Sequence, residues 1–272
     1  MTDLDLRSTK RPWVMGILNI TPDSFADGGK FLSVENALTQ ARQMIADGAD
    51  IIDIGGESTR PGAEAVNSDE ELDRVIPIIE AIRNESTIPI SIDTSKPSVM
   101  QAAAEAGVNL INDVNALRAD GAVELAAKLK LPVCLMHMKG EPRTMQTKPH
   151  YENVVQEVLD FLLQRVDVCT SAGIDGSRIW LDPGFGFGKS LAHNLQLLKH
   201  LHRFVATDFP VLVGVSRKSM FKMLLDLEVQ DRLPASLSAE VFALTQGAHV
   251  LRVHDVRATV EAVKVFQAIQ EA

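Results

Sequence analysis

Short apolar segments rich in β-branched residues recur along the whole chain. Their nearly continuous apolar character is typical of strands that are buried on both faces of a parallel sheet. Stretches with a helical period separate them. The predicted strands are residues 13–20, 49–56, 89–94, 110–114, 132–137, 179–184, 210–216 and 249–255.

Amphipathic helices are predicted between these strands. In the first, residues 34–47, apolar side chains fall at positions 34, 37, 38, 41, 44 and 45, which is the spacing of one helix face. Ser33 precedes it as a partial N-cap. The other predicted helices are residues 69–83, 97–106, 121–129, 154–172, 194–204, 237–246 and 257–269.

Eight strands alternating with eight helices, with no linker between them, predict an α/β protein with one (β/α)₈ TIM-barrel domain over residues 1–272. A doubly wound open sheet is the alternative, although it normally has fewer strands and a nucleotide-binding glycine loop. The loops after the first, second and fifth strands are long, at residues 21–33, 57–68 and 137–150. Loops of this length are often functional, so we expect them to cover a site; surface decoration is the alternative.

Composition narrows the class of partner. The 272-residue chain is 46% hydrophobic and 23% charged with a net charge of −9, which excludes disordered and disulfide-rich classes and argues against nucleic acid. No apolar run is long enough to span a membrane, and the N-terminal residues lack the order of a signal peptide. Cys134 and Cys169 are interpreted as buried thiols. We therefore expect a cytoplasmic protein that binds small molecules and neither nucleic acid nor membrane.

Each predicted strand carries functional side chains at or just beyond its carboxyl end, where barrel enzymes place their active sites. One Asp after a strand is usually a cap or turn residue, but eight such positions together predict a ligand site. The residues are Asn19, Asp53, Glu57, Thr59, Arg60, Asp93, Asn112, Asp113, Met136, His137, Asp182, Ser216, Lys218, Arg252, His254 and Asp255.

The acceptors among these side chains suggest a ring-shaped ligand. Asp93, Asn112 and Asp182 can pair with adjacent N–H groups, such as those of a 2-amino-4-oxo-pyrimidine ring. Arg252 and His254 add positive charge to an acidic protein, which suits a phosphate-bearing substrate.

Patterns for other cofactors are weak. The segment GFGFGK at 184–189 lacks both the dinucleotide fingerprint and the P-loop register, and no zinc-type histidine spacing occurs. A hard cation that bridges phosphate oxygens needs only one or two protein oxygens, and Asn19 can supply one.

Eight longer segments, one per strand end and in order along nearly the whole chain, together resemble the dihydropteroate synthase family. Composite motifs of this length are far more specific than any single short pattern. They are ILNITPDSFADGG (17–29), DIGGESTRPGA (53–63), SIDTSKPSV (91–99), INDV (111–114), MHMKGEPRTMQ (136–146), LDPGFGFGK (181–189), GVSRKSM (214–220) and RVHDV (252–256).

The resemblance implies an enzyme of folate synthesis that condenses 6-hydroxymethyl-7,8-dihydropterin diphosphate with 4-aminobenzoate. Dihydropteroate and diphosphate are the implied products, formed by Mg²⁺-assisted dissociative loss of diphosphate and attack by the arylamine. A homodimer is implied as well. Ala26, Lys139 and the pair Met220-Phe221 depart from the family pattern but remove no catalytic group.

The resemblance also implies roles for particular residues. The implied pterin contacts are Asp93, Asn112, Met136, Asp182, Lys218 and Arg252. The implied diphosphate contacts are Asn19, Thr59, Arg60, Arg252 and His254, with Asn19 also the Mg²⁺ ligand. The implied aminobenzoate contacts are Phe25, Pro61 and Ser216. Asn19, Asp93, Lys218, Arg252 and His254 form the implied catalytic set.

Several alternatives stay open at this point. A corrinoid-linked pterin methyltransferase uses a related barrel with a similar pterin floor, a pterin-binding relative can lack catalysis, and an unrelated barrel can use these polar residues as caps. Asp53 and Glu57 can orient Arg60 or a loop backbone. His137 is either a packed structural residue or a ligand contact, and Ser216 either binds a carboxylate or caps a helix.

Overall fold

Eight parallel strands form a barrel. The computed structural model describes residues 4, 6, 11–20, 29–58, 66–140, 145 and 149–272, without the side chains of 29–33. The strands are β1 (Trp13–Asn19), β2 (Ile51–Gly55), β3 (Ile90–Asp93), β4 (Leu110–Asp113), β5 (Val133–Met136), β6 (Ile179–Asp182), β7 (Leu212–Val213) and β8 (Val250–Val253).

The order of the strands confirms the predicted barrel and excludes the open sheet. They pair in the order β6-β5-β4-β3-β2-β1-β8-β7. A parallel bridge between Leu181 and Val211 then joins β6 to the residues that precede β7, and the amide of Leu181 donates to the carbonyl of Pro210 at 2.8 Å. The sheet therefore closes on itself.

Helices follow the strands around the barrel. They are α1 (Gly29–Ala46), α2 (Ser68–Glu85), α3 (Pro97–Glu105), α4 (Ala122–Leu129), α5 (Val154–Ser171), α6 (Leu191–Lys199), α7 (His202–Val205), α8 (Met220–Leu225), α9 (Leu233–Thr245) and α10 (Val256–Gln270). Within the described part of the chain, no helix is long and apolar enough to cross a membrane.

Three helical regions differ from the sequence prediction. α1 begins at Gly29, so Ser33 lies inside the helix and does not cap it; Lys30 and Leu32 are good helix formers, and they extend the helix into the predicted loop. The predicted helix 194–204 is divided into α6 and α7, and α6 begins earlier because Ser190 and His193 form a capping box. A helix was expected to open at Ser216, but α8 begins only at Met220.

An apolar layer closes the end of the barrel opposite the site. It consists of inward-facing side chains from the strands together with Leu4 and Leu6 from the N-terminal segment, and its members are Leu4, Leu6, Met15, Ile51, Leu110, Cys134, Trp180, Leu212 and Val250. A second and larger core packs the strands against the helices. Cys134 and Cys169 are both buried, unpaired thiols, as predicted.

Candidate active site at the carboxyl ends of the strands

The polar floor of the barrel follows from strand alternation. Residues two apart in a strand point to the same face, so each strand that contributes to the apolar layer places its next inward residue one step nearer the mouth. The next inward-facing residue after Trp180 is thus Asp182, and the next after Leu110 is Asn112. Val250 is followed in the same way by Arg252.

A charge network spans this floor. Arg252 Nε donates to Asp53 Oδ2 at 2.6 Å, and Arg252 Nη2 donates to Asp93 Oδ2 at 2.7 Å. The amide nitrogen of Asn112 lies 3.3 Å from Asp53 Oδ2. Asp53 is fully buried and only 9% of Asp93 is exposed, so the two carboxylates have little contact with solvent. It joins side chains from β2, β3, β4 and β8.

Burial controls the protonation of these groups. Loss of hydration raises the pKa of Asp93 to about 7; Arg252 opposes this shift, and the charge of Asp53 adds to it. Burial alone lowers the pKa of Arg252, but the two carboxylates outweigh burial and the pKa is raised. Burial also raises the pKa of Asp182, against the amide of Gly184 and the charge of Lys218. Perturbed carboxyl groups in a cleft are typical of functional sites.

Lys218 and the loop after β6 form one wall of the mouth. The Nζ of Lys218 lies 4.3 Å from the centre of the Phe187 ring, within reach of a cation–π contact. A Cβ at Gly186 would lie 3.2 Å from Lys218 Cδ, so the absence of a side chain at Gly186 allows the Lys218 side chain to pack closely against the loop backbone. Met136 is buried nearby in a small cluster with Met138, Met145 and Phe187.

Ser216 and His254 meet at the mouth, after β7 and β8. Ser216 Oγ lies 3.2 Å from both the backbone nitrogen and the Nδ1 of His254. Partial burial lowers the pKa of His254 to about 4, helped by Arg252, Lys218 and Arg217, so the imidazole is neutral at pH 7. The idea that Ser216 caps a helix is wrong, because α8 begins at Met220 and Ser219 is its N-cap residue.

Asn19 ends β1 with an exposed side chain at the rim. A Cβ at Gly55 would lie 3.7 Å from Asn19 Oδ1 and 3.5 Å from the Cβ of Asp93, so Gly55 lies beside both of these side chains. Among the described residues, no cluster of three or more His, Cys, Asp or Glu side chains could hold a metal ion. Asn19 therefore offers a single neutral oxygen beside the carboxyl floor.

Four of the predicted contacts, Phe25, Thr59, Arg60 and Pro61, lie outside the described residues. The structure brings the others together at the mouth or the floor: Asn19, Asp93, Asn112, Met136, Asp182, Ser216, Lys218, Arg252 and His254. Their roles stay predictions.

The structure shows the partners of Asp53 and Glu57, which the sequence did not decide. Asp53 pairs with Arg252. Glu57 accepts from the backbone amide of Val66 at 3.1 Å and forms an ion pair with Lys96, which also pairs with the buried Glu71. Glu57 thus binds the backbone at the far end of the second loop, which was one of its two predicted roles. The link from Asp53 to Arg252 joins residues 199 positions apart, and no local pattern signals it.

The glycine-rich segment after β6 is no phosphate cradle. The amide of Gly184 donates to Asp182 Oδ1 at 2.7 Å, and the amide of Gly186 donates to Asn194 Oδ1 at 2.8 Å. At Gly184 and Gly188 φ is positive, and a Cβ there would lie 1.9 Å from the carbonyl oxygen of His137 and 2.2 Å from that of Lys139. These glycines allow the loop to pack directly on the backbone after β5.

A parallel barrel with a carboxyl-lined floor, which Arg252 spans and Lys218 borders, defines a class of enzyme that binds a nitrogen-rich ring. Comparison with known proteins agrees. Residues 15–254 match the family described as pterin binding enzyme. The chain is 54% identical to the dihydropteroate synthase of Haemophilus influenzae over 261 residues, which cover 96% of this chain and 95% of that protein.

Solved structures show the same likeness. The structure of Yersinia pestis dihydropteroate synthase with a sulfonamide drug has a TM-score of 0.93 and 50% identity, covering 99% of this chain and 97% of that one. The structure of Xanthomonas albilineans dihydropteroate synthase with 4-aminobenzoic acid has a TM-score of 0.91 and 51% identity, covering 97% and 94%. The chain therefore belongs to the pterin-binding enzymes and, within them, to the dihydropteroate synthase family.

Proposed function

We propose that this protein is a transferase of folate synthesis that condenses 6-hydroxymethyl-7,8-dihydropterin diphosphate with 4-aminobenzoate. The products are 7,8-dihydropteroate and diphosphate. The observation that carries the proposal is the buried floor of Asp93, Asn112 and Asp182, with Arg252 paired to Asp93 and the neutral imidazole of His254 at the mouth. The family relationship and the relative that holds 4-aminobenzoic acid support it.

The floor matches the hydrogen-bonding edge of a pterin ring. Asn112 directs its amide nitrogen at Asp53, so its amide oxygen is turned away from Asp53 and accepts from the ring. Arg252 engages Oδ2 of Asp93, and Asp93 accepts a ring N–H at its other oxygen. Asp182 accepts the adjacent ring N–H groups. Met136 packs against the ring, and Lys218 donates to its polar edge.

Stabilisation of the charges that develop on the diphosphate and the pterin accelerates the reaction. The C–O bond between the pterin methylene and diphosphate breaks with its electron pair on diphosphate, and the arylamine nitrogen forms the new C–N bond. Arg252 and the N–H of neutral His254 stabilise the leaving group, while the carboxylates of Asp93 and Asp182 favour the cationic pterin. The proton of the new ammonium passes to solvent or to the released diphosphate. Holding the amine close to the methylene carbon supplies much of the remaining acceleration.

Asn19 is the proposed ligand of Mg²⁺. The residues fit this ion, because Mg²⁺ keeps several waters and typically takes one or two protein oxygens together with substrate phosphates. Asn19 offers one exposed oxygen at the rim. When bound, the ion would neutralise charge on the diphosphate oxygens.

The aminobenzoate site is proposed at Ser216, with Phe25 and Pro61 from the first two loops. The diphosphate site is completed by Thr59 and Arg60. Ser216 lies beside His254, so the carboxylate end of one substrate and the diphosphate of the other would be bound on the same wall.

The assembly is proposed to be a homodimer of single-domain chains. Large apolar side chains are exposed on α8, α9 and α10 and on the turn after α8, and exposed apolar surface of this kind marks interaction sites. They are Met223, Leu224, Leu225, Val229, Phe242, Val265 and Ile269. Sedimentation equilibrium would test this directly, and a monomer at micromolar concentration would refute it. A cytoplasmic location remains a prediction from the sequence.

A diphosphate-release assay tests the proposed reaction. The wild-type chain should release diphosphate only when both substrates and Mg²⁺ are present. Lys199→Ala, an exposed change on α6, should behave like wild type. Release from the pterin diphosphate alone would indicate a hydrolase, and pterin binding without any release would indicate a non-catalytic relative; either result contradicts the proposal.

A further inference from the structure

Lys189 is a fully buried lysine that the proposed mechanism does not use. Burial lowers its pKa well below the usual value, and the charge of Asp182 opposes this shift. Lys189 lies between β6 and α6 with 1% of its surface exposed. Its Nζ lies 2.8 Å from the carbonyl oxygen of Gly184, 3.0 Å from that of Phe187, 2.9 Å from Nδ1 of His137 and 3.2 Å from the carbonyl oxygen of His137. An ammonium group has three N–H donors, and all three find acceptors here.

His137 is the side-chain partner in this cluster. Burial lowers its pKa to about 2, and the charge of Lys189 adds to the shift, so the ring is neutral. Because Nδ1 faces the ammonium donor, the ring proton belongs on Nε2. The ring also packs edge-on against Phe161, with 4.9 Å between the ring centres. His137 is thus a packed acceptor at the end of β5.

Two of the carbonyl groups that Lys189 binds, those of Gly184 and Phe187, belong to the segment that shapes the pterin end of the site. Gly184 donates its amide to Asp182, and the ring of Phe187 lies beneath the Nζ of Lys218. Two other described side chains also support the segment near its tip. Tyr151 donates to the carbonyl of Gly188 at 2.9 Å, and Asn194 accepts from Gly186. Lys189 is the only one of these side chains that reaches Gly184, Phe187 and β5 together.

We propose that Lys189 is a positioning residue for the pterin: its ammonium group binds the loop after β6 to the end of β5 and so holds Asp182 and Lys218 where they meet the ring. This inference rests on the proposed function and adds a residue to it. Burying a polar amine without hydrogen-bond partners is costly, so Lys189 favours the loop arrangement in which its four acceptors stay in place. The geometry of the loop is therefore coupled to the geometry of Asp182.

The test compares variants that remove the donor or its acceptor. Lys189→Met keeps the length of the stem without any donor, and His137→Leu removes the Nδ1 acceptor. His137→Asn places an amide oxygen near the position of Nδ1 and should restore the contact. Lys199→Met is the exposed lysine control, and Ile79→Ala in α2 is a destabilised control with a cavity in the buried core.

Isothermal titration with the pterin diphosphate and Mg²⁺, without 4-aminobenzoate, gives the decisive number. Lys189→Met should raise the pterin Kd at least tenfold, while the KM for 4-aminobenzoate changes by less than twofold. His137→Leu should show the same selective loss, and His137→Asn should stay within threefold of wild type. Both controls should bind the pterin like wild type. Ile79→Ala should do so even though its Tm is lowered.

Several results would overturn the inference. An unchanged pterin Kd in Lys189→Met would do so, and so would an equal loss in Ile79→Ala, because the effect would then follow stability alone. If Lys189→Met does not fold, the pair at His137 decides, and equal behaviour of His137→Leu and His137→Asn refutes the proposal. Failure of the wild-type chain to bind the pterin would instead refute the proposed function.

Discussion

Removing the carboxylate of Asp53 tests the charge network at the floor. Asp53 is fully buried and accepts from Arg252 Nε at 2.6 Å, and the amide nitrogen of Asn112 lies 3.3 Å away. Asp53→Ala leaves both donors without this acceptor. Asp53→Asn keeps an oxygen that can accept from Arg252 but removes the charge. The two variants should therefore destabilise the protein to different degrees.

The structure sets the size of the effect. Breaking a buried ion pair by removing one partner typically costs about 3–5 kcal/mol. Asp93 still binds Arg252, and 18% of the arginine side chain is exposed, so Asp53→Ala belongs at the lower end, near 3 kcal/mol as an order of magnitude. Asp53→Asn should cost less, about 1–2 kcal/mol as an order of magnitude, because an oxygen that accepts from Arg252 remains but its charge is lost. At roughly 2–4 °C per kcal/mol for a large domain, Tm should fall by about 6–12 °C in Asp53→Ala and by about 2–8 °C in Asp53→Asn.

Calorimetry and urea unfolding measure both changes. The matched control is Glu261→Gln, which removes a carboxylate facing Arg257 on the surface, where the side chains are 65% and 78% exposed; we expect less than about 0.5 kcal/mol there. The Asp53 variants should also raise the KM for the pterin diphosphate, because Asn112 loses its anchor. If Asp53→Ala lowers Tm no more than Glu261→Gln does, the network contributes nothing and the reasoning fails.

Three further perturbations test the rim and the scaffold. Asn19→Ala should weaken Mg²⁺-dependent binding of diphosphate in a titration while leaving the affinity for the bare pterin nearly unchanged; equal loss of both would contradict the assignment. Ser216→Ala should raise the KM for 4-aminobenzoate by about tenfold, which matches about 1–2 kcal/mol for a hydrogen bond to a charged group. A rise only in the KM for the pterin diphosphate would contradict this, because the hydroxyl would then act by positioning His254. Glu240 on α9 is buried and receives one hydrogen bond from Thr259 at 2.9 Å, and burial raises its pKa from 4.5 to about 7. Because the folded state then holds a proton that the unfolded state has lost, this group destabilises the fold as pH rises from 4.5 through 7; Glu240→Gln should gain about 3 kcal/mol relative to wild type between pH 4 and pH 8 in urea unfolding, and a constant difference would refute the shift.

The barrel and the floor were predictable because both follow from local pattern. Apolar runs gave all eight strands, and alternation with period two places Asp182 and Asn112 on the inner face once the strand ends are known. Polar residues at strand ends of a closed parallel barrel converge on one mouth. The predicted groups Asn19, Asp93 and Arg252 accordingly lie at that mouth or on its floor.

Contacts between distant strands were not predictable. Asp53 was expected to orient Arg60 or a loop backbone, and its pairing with Arg252 depends on β2 and β8 lying on either side of β1. The contact between Lys189 and His137 depends likewise on how closely the glycine segment packs on β5. Sequence spacing carries no signal for either. The boundaries of β7 and α1 also differ from the prediction, since local propensity does not fix where a loop begins.

Pterin affinity at Asp182 tests the central claim most directly. Asp182 is 6% exposed, and Asp182→Ala should leave two ring N–H groups unpaired at about 1–3 kcal/mol each. Isothermal titration of the pterin should therefore show a Kd raised by roughly a hundredfold or more, with Lys199→Ala unchanged. A pterin Kd for Asp182→Ala within a factor of three of wild type would show that the ring binds elsewhere and would contradict the account.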